Sequence, residues 1–199
     1  MTAKDSKKAV FLDRDGCISP DEFGYISDPA KYSIYPYTPQ ALAILKQQGF
    51  LLFLVTNQSG IARGYFGIDA LQKVHDKLQS LLGEHDLALD RIYFSPYFKT
   101  GIVAPYNVEH PDRKPGLGMF ERAKREFGFE TRASWMIGDR YTDIEFGKKA
   151  GLTTILLMTG NGIKEMTENM PSWQYKPDYI AENLLTAARL IELLDREKP

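Results

Sequence analysis

Cysteine is almost absent from the 199-residue chain, and long hydrophobic runs and an excess of either charge sign are missing. Cys17 is the single cysteine, so no intramolecular disulfide can form, which favours a cytoplasmic setting. The longest clean apolar run, 50–55, is far too short to cross a bilayer. With 25 basic and 26 acidic residues, the overall charge favours neither nucleic acid nor an anionic membrane as a partner.

The composition is that of a folded globular chain, with 43% hydrophobic and 26% charged residues. A chain of this length can bury a core of its own, so we predict one domain over residues 1–199. The start of the chain, MTAKDSKKAVF, has no long apolar core followed by a cleavage site and predicts no secretory signal. The oligomeric state is open, and a monomer is compatible with the sequence.

Short apolar segments alternate with amphipathic ones along the chain, which predicts a parallel sheet covered by helices on both faces. Strands are predicted at 9–12, 50–56, 91–95, 134–138, 153–160 and 178–180. Helices are predicted at 38–49, around 71–83, and at 117–128, 141–151 and 183–194, the first with Thr38 as N-cap. Long loops at 17–37 and about 96–115 separate some of these elements. The expected fold class is α/β, a Rossmann-like sheet in three layers.

Polar side chains follow three of the predicted strands, at the edge of the sheet where active sites of such folds gather. Asp13 and Asp15 end the first strand, Thr56 ends the second, and Asp139 opens the segment GDRYTD after the fourth. Lys114 lies in DRKPG, in the second long loop. Asp13 and Asp15 taken alone are equally compatible with a solvated turn, since Asp and Gly are common turn residues.

The combined set suits phosphoryl transfer. Asp13, Asp15 and Asp139 offer the hard oxygen ligands that Mg²⁺ prefers. The Thr56 hydroxyl and the backbone N–H groups of 57–59 could hold a phosphate near a helix start, and Lys114 could offset its charge. One aspartate of the first pair would attack phosphorus, and the other would act as acid and base.

The motifs DRDG, VTNQSG, RKPG and GDRYTD resemble the four ordered motifs of the haloacid dehalogenase superfamily. Within it, FLDRDG, TNQSGIARGYF and DRKPG resemble the branch that contains phosphatases of D-glycero-D-manno-heptose 1,7-bisphosphate and of histidinol phosphate. The resemblance covers residues 9–162. It implies a cytoplasmic phosphomonoesterase acting on a small phosphorylated metabolite, with the heptose bisphosphate as the main expectation. Histidinol phosphate or another small sugar phosphate is the alternative.

The resemblance also implies residue roles. Asp13 would be the nucleophile that forms an aspartyl-phosphate, and Asp15 the general acid–base. Thr56 and Lys114 would hold the transferred phosphoryl group. Mg²⁺ would be bound by Asp13, the backbone carbonyl of Asp15, and Asp139. The residues expected to contact substrate are Arg113, Asn57, Gln58, Ser59 and Arg140, with Asp21, Gly24 and Tyr25 from the first loop. About forty residues separate the first two motifs, which leaves little room for a separate cap domain.

The chain departs from many relatives in the loop before the lysine, where they bind zinc through Cys and His. The matching positions are Ser95, Tyr97, His110 and Asp112, which include no thiolate. Since structural zinc sites commonly use Cys, we expect no structural zinc, and a loop held by packing of Tyr97, Phe98, Val103 and Tyr106.

Other interpretations remain open at this point. A phospho-accepting receiver domain also combines acidic residues, Thr and Lys on a parallel sheet, but it lacks a late GDxxxD motif. A catalytically silent binding protein of the same fold is a further alternative. Tyr25, Tyr97 and Tyr106 are equally compatible with lining the entrance and with packing the loops. Cys17 is predicted to be a packing residue, and His75 and His85 are predicted at the surface.

Overall fold

The computed structural model describes residues 7–21 and 24–196. Strands and helices alternate within these residues, as the sequence predicts. The strands are β1 (Lys8–Leu12), β2 (Phe50–Asn57), β3 (Arg91–Ser95), β4 (Trp135–Gly138), β5 (Thr153–Leu157) and β6 (Tyr179–Ala181). The helices are α1 (Thr38–Gln47), α2 (Ile68–Gly83), α3 (Gly118–Phe127), α4 (Tyr141–Ala150), α5 (Gly162–Lys164) and α6 (Leu184–Arg196). Residues 1–6, where no secretory signal is predicted, lie outside the described residues.

The six strands form one parallel sheet in the order β3-β2-β1-β4-β5-β6. β1 lies in the middle, with Leu12 in register with Leu54 of β2 and Ile137 of β4. Because parallel strands end at the same edge, this register brings the polar residues after β1, β2 and β4 to one level.

Alternate side chains of the central strands pack into two different hydrophobic clusters, one on each face of the sheet. Val10 and Leu12 join the cluster built with α1, α2 and α6. Ala9 and Phe11 join the cluster built with α3 and α4, where Phe11 contacts Phe53 with ring centroids 5.3 Å apart. Burying one such phenyl ring is worth about 2 kcal/mol. The predicted three-layer arrangement is confirmed.

The segment between β1 and β2 stays close to the sheet. In its described part it holds a loop with one 3₁₀ turn (Pro29–Lys31) and α1, so no cap domain is inserted there. The prediction of Thr38 as N-cap was wrong, because Tyr37 occupies that position. The buried Thr38 hydroxyl instead donates to the carbonyl of Ile18, 2.9 Å away, and so ties the first loop to the start of α1.

Two further features differ from the sequence prediction. Helical turns cover 162–172, where no helix was predicted from the sequence. His75, predicted at the surface, is 2% exposed on the packed face of α2, four residues after the buried Leu71. His85 is exposed and Cys17 is buried, as predicted. Within the described residues, no helix is long and apolar enough to span a membrane.

Candidate active site

The polar residues after β1 and β2 meet the segment before α3 and the start of α4 around one cleft of about 490 Å³. Every catalytic and substrate-contacting residue predicted from the sequence lines it. These are Asp13, Asp15, Asp21, Gly24, Tyr25, Thr56, Asn57, Gln58, Ser59, Arg113, Lys114 and Arg140. Arg63 and Thr142 also line the cleft and were not predicted. Asp139 is fully buried and does not line the cleft.

A tight backbone turn after β1 brings the first motif against Asp139. Gly16 has a φ of +84°, a conformation that residues with a side chain rarely adopt. A Cβ atom at Gly16 would lie 2.3 Å from Oδ2 of Asp139. The glycine of DRDG therefore serves the close approach of this turn to the acidic residue after β4.

Lys114 joins two carboxylates from different strand ends. Its Nζ lies 2.9 Å from Oδ1 of Asp13 and 2.6 Å from Oδ1 of Asp143, and all three side chains are buried. The lysine is placed by Asn57 at the end of β2. The Asn57 side chain accepts from the Lys114 N–H at 2.9 Å and donates to the Lys114 carbonyl at 3.0 Å.

Asp13, Asp139 and Asp143 form a compact acidic cluster, with one oxygen from each lying within 4.8 Å of the others. Oδ1 of Asp139 is buried without a hydrogen-bond partner in the described part of the chain. Three buried carboxylates with one lysine leave uncompensated negative charge, and an unpaired carboxylate oxygen is a hard ligand. These residues therefore fit a cation such as Mg²⁺.

The pKa values of the cluster reflect the same charge imbalance. Burial raises the pKa of Asp13 to about 7, with Asp143 adding to the rise and Lys114 opposing it. Burial also raises the pKa of Asp139 to about 8, together with the charges of Asp13 and Asp143. Burial lowers the pKa of Lys114, but Asp13 and Asp143 more than offset this, so the net shift is upward and the lysine stays charged.

Asp143 takes a place that the sequence analysis did not assign to it. The predicted metal set was the carboxylates of Asp13 and Asp139 with the backbone carbonyl of Asp15, and the structure adds the carboxylate of Asp143 to the two predicted carboxylates. Its other oxygen accepts from the Arg140 N–H at 3.0 Å, which caps α4. The signal was present in the second aspartate of GDRYTD, one helical turn after Asp139.

The Asp15 side chain is directed away from this cluster by a bidentate salt bridge to Arg14, with N–O distances of 2.9 and 2.8 Å. Gln58 donates to the same carboxylate at 3.1 Å and to the Thr56 hydroxyl at 2.9 Å. The Arg14 side chain is fully buried, with His75 Nε2 3.5 Å from its Nη1. The carboxylate of Asp15 is thereby held at the cleft, apart from the acidic cluster.

The phosphate cradle expected after β2 differs in two ways. No helix starts there, because 58–67 forms turns and α2 begins at Ile68. The Gln58 N–H is also not free, since it donates to the Ser95 carbonyl at 2.7 Å. The side chains of Thr56 and Lys114 still face the cleft beside Asp13, and these supply the remaining polar groups for a phosphate.

Side chains at the rim are held by partners from distant segments. Arg140 forms a 2.9 Å salt bridge with Asp21, and Asn161 donates to Asp21 at 2.7 Å. The Tyr25 hydroxyl lies 2.9 Å from the Ser59 hydroxyl. Of the three tyrosines considered, Tyr25 therefore lines the entrance.

The second long loop is packed by aromatic contacts. Tyr97 stacks on His110 with ring centroids 3.7 Å apart and packs edge-on against Tyr106 at 5.9 Å. Nδ1 of His110 accepts from the Asp112 N–H at 3.1 Å, and Asp112 forms a salt bridge with Arg122. Tyr97 and Tyr106 thus pack the loop and lie off the candidate cleft.

The chain is similar in sequence to bacterial enzymes along most of its length. It is 38% identical over 195 residues to the D-glycero-D-manno-heptose-1,7-bisphosphate 7-phosphatase of Chlorobaculum tepidum. That match covers 92% of this chain and 93% of the relative. It is 35% identical over 187 residues to the D-glycero-beta-D-manno-heptose-1,7-bisphosphate 7-phosphatase of Pasteurella multocida, with coverages of 94% and 97%. The family profile described as HAD-hydrolase-like matches residues 112–187.

The fold is also similar to a solved structure that contains ligands. The D,D-heptose 1,7-bisphosphate phosphatase of B. bronchiseptica, complexed with magnesium and phosphate, superimposes with a TM-score of 0.81 at 29% identity. The match covers 95% of this chain and 99% of that one.

Proposed function

The chain belongs to the haloacid-dehalogenase-like phosphatases and is a phosphoric monoester hydrolase, and from this we propose that it is a single-domain, cytoplasmic, Mg²⁺-dependent phosphatase of D-glycero-D-manno-heptose 1,7-bisphosphate. The observation that carries the proposal is the buried ion-pair group of Asp13, Lys114 and Asp143, of which Asp13 and Lys114 line one cleft together with Asp15. The two heptose bisphosphatases above, similar over more than nine-tenths of this chain, support the substrate.

Asp13 is the proposed nucleophile. Its carboxylate oxygen forms a bond to phosphorus while the bond from phosphorus to the sugar oxygen breaks, which leaves an aspartyl-phosphate. Lys114 and the Thr56 hydroxyl hold the phosphoryl oxygens and offset their charge. Asp13, Asp139 and the backbone carbonyl of Asp15 would hold Mg²⁺, with Asp143 beside them. When bound, Mg²⁺ neutralises the carboxylates and the charge that develops on the phosphoryl group.

Asp15 is the proposed proton carrier. It donates a proton to the departing sugar oxygen and then takes one from the water that attacks the aspartyl-phosphate, which releases inorganic phosphate and restores Asp13. Its fixed place supports this role, because Gln58 and Arg14 hold the carboxylate at the cleft, outside the acidic cluster.

The second long loop is proposed to work without zinc. At the positions where many relatives place ligands, Tyr97 and His110 stack on each other and Asp112 pairs with Arg122. These contacts support a loop held by packing and ion pairs.

The test is phosphate release with and without Mg²⁺ from both anomers of the heptose 1,7-bisphosphate, histidinol phosphate and common sugar phosphates. A clear preference for one heptose bisphosphate is expected, with turnover lost in Asp13→Asn at unchanged circular dichroism. Substantial activity in that variant would contradict the nucleophile assignment. Even, weak activity over the panel would leave the chemistry in place and refute the substrate.

A further inference from the structure

The two loops that follow β2 and β3 are joined at the rim of the cleft. The Ala62 carbonyl accepts from the N–H groups of Ile102 and Val103, at 2.7 and 3.0 Å. A Cβ atom at Gly101 would lie 2.5 Å from that carbonyl oxygen, so the backbones are in close contact. This junction fixes the position of Arg63 relative to the second loop.

Phe98 carries two guanidinium groups on one phenyl ring. The Cζ atoms of Arg63 and Arg113 lie 4.0 and 4.9 Å from the ring centroid, within the range of a cation–π contact. Arg113 also donates to the Tyr97 carbonyl at 3.2 Å. Both arginines line the candidate cleft. The half-buried ring is therefore the shared support of two cations that come from different loops.

The two cations on this ring lack a carboxylate. Neither Arg63 nor Arg113 forms a salt bridge with any residue in 7–21 or 24–196, whereas Arg140, the third arginine of the cleft, is neutralised by Asp21. Nε of Arg63 is buried without a hydrogen-bond partner in the same part of the chain. Burial lowers the pKa of Arg113, and the charge of Arg63 lowers it further. Two neighbouring like charges without a counter-charge favour a bound anion.

We propose that Phe98 is a positioning residue that holds Arg63 beside Arg113, and that Arg63 is a further binding residue for the second phosphate of a bisphosphate substrate. This rests on the proposed function, in which one phosphate occupies the Asp13–Lys114 site. The ring of Phe98 holds both guanidinium groups in place before substrate binds, so less conformational entropy is lost on binding. The side-chain amides of Asn57 and Gln58 already donate to the Lys114 carbonyl and to Asp15. Arg63 and Arg113 therefore offer the cationic donors for the distal phosphate.

The experiment compares wild type with Arg63→Met, Phe98→Leu and the control Lys99→Met. Lys99 adjoins Phe98 but is exposed and paired with Glu109, 2.8 Å away. For each protein, kcat and KM are measured with the heptose 1,7-bisphosphate, the heptose 7-phosphate and p-nitrophenyl phosphate. The key quantity is the ratio of kcat/KM for the bisphosphate to that for the 7-phosphate.

Arg63→Met is expected to lower this ratio by about 10- to 100-fold, mainly through KM, as loss of a charge-assisted hydrogen bond requires. Phe98→Leu, which keeps an apolar side chain and removes the π face, is expected to lower it by about 3- to 10-fold. Lys99→Met should leave it unchanged. An unaltered ratio in Arg63→Met, or equal losses on all three substrates, would overturn the proposal.

Failure of the proposed substrate gives a different result. Wild type would then hydrolyse p-nitrophenyl phosphate but neither heptose compound, and the arginine pair is tested by inhibition of that reaction. Stronger inhibition by fructose 1,6-bisphosphate than by fructose 6-phosphate, abolished in Arg63→Met, would support the pair. Equal inhibition by the two sugars in wild type would refute it.

Discussion

Replacing Asp139 by Asn is expected to stabilise the metal-free protein at pH 8 and to remove its stabilisation by Mg²⁺. Burial and the charges of Asp13 and Asp143 raise the pKa of Asp139 from 3.8 to about 8. Between these values the folded chain keeps a proton that the unfolded chain has lost. The free energy of unfolding therefore falls as pH rises from about 4 to 8, and Asn removes that loss.

The size of the effect follows from the shift. A difference of about four pK units corresponds to about 6 kcal/mol. Asn weakens the hydrogen bond that Asp139 accepts from the Asn161 N–H at 2.7 Å, which costs about 2 kcal/mol for a charged acceptor. The net gain at pH 8 is about 4 kcal/mol, or about 8 to 16 °C in Tm for a chain of this size. Near pH 4 the proton-linked gain is absent, and only the cost of the weakened hydrogen bond, up to about 2 kcal/mol, should remain.

The assay is thermal unfolding in EDTA from pH 4.5 to 8.5, repeated with Mg²⁺. Asp178→Asn is the matched control with the opposite sign. Burial raises the pKa of Asp178, but hydrogen bonds from Lys148 and Thr154 lower it overall, so this variant should lose stability at pH 8. An Asp139→Asn protein that melts below wild type in EDTA at pH 8, or a gap that does not change with pH, would refute the reasoning.

Three further outcomes are expected. Asp15→Ala should reduce hydrolysis of alkyl phosphates far more than that of aryl phosphates, because only poor leaving groups need the acid; equal losses in steady-state assays would contradict its role. Metal analysis of the purified protein should find no stoichiometric zinc, and one tightly held zinc per chain would contradict the packed-loop proposal. Burial and the Arg14 cation lower the pKa of His75 to about 3. The free energy of unfolding of wild type should therefore fall as pH falls from 6.5 towards 3, and that of His75→Gln should fall less. Urea unfolding at pH 5 and pH 7 measures this change, and an equal change in the two proteins would contradict the prediction.

Local patterns were sufficient to predict the layers of the fold. Strand and helix periods are written in consecutive residues, and parallel strands place their ends at one edge whatever the details of packing. For this reason the sequence could group Asp13 with Thr56, and both line one cleft. Lys114, which lies in a loop, was grouped with them through its motif and lines the same cleft. Gly16 of DRDG can be read from the sequence, but its close approach to Asp139 is visible only in the structure.

The tertiary structure alone decided which polar groups are already occupied and which remain free. Hydrogen bonds between distant segments engage Asn57 and Gln58, and the apolar face of α2 buries His75. The pairing of Lys114 with Asp143 and the meeting of Arg63 with Arg113 on Phe98 join residues 29 and 50 positions apart. The number of residues between two positions does not determine their separation in the fold, so contacts of this kind follow only from packing.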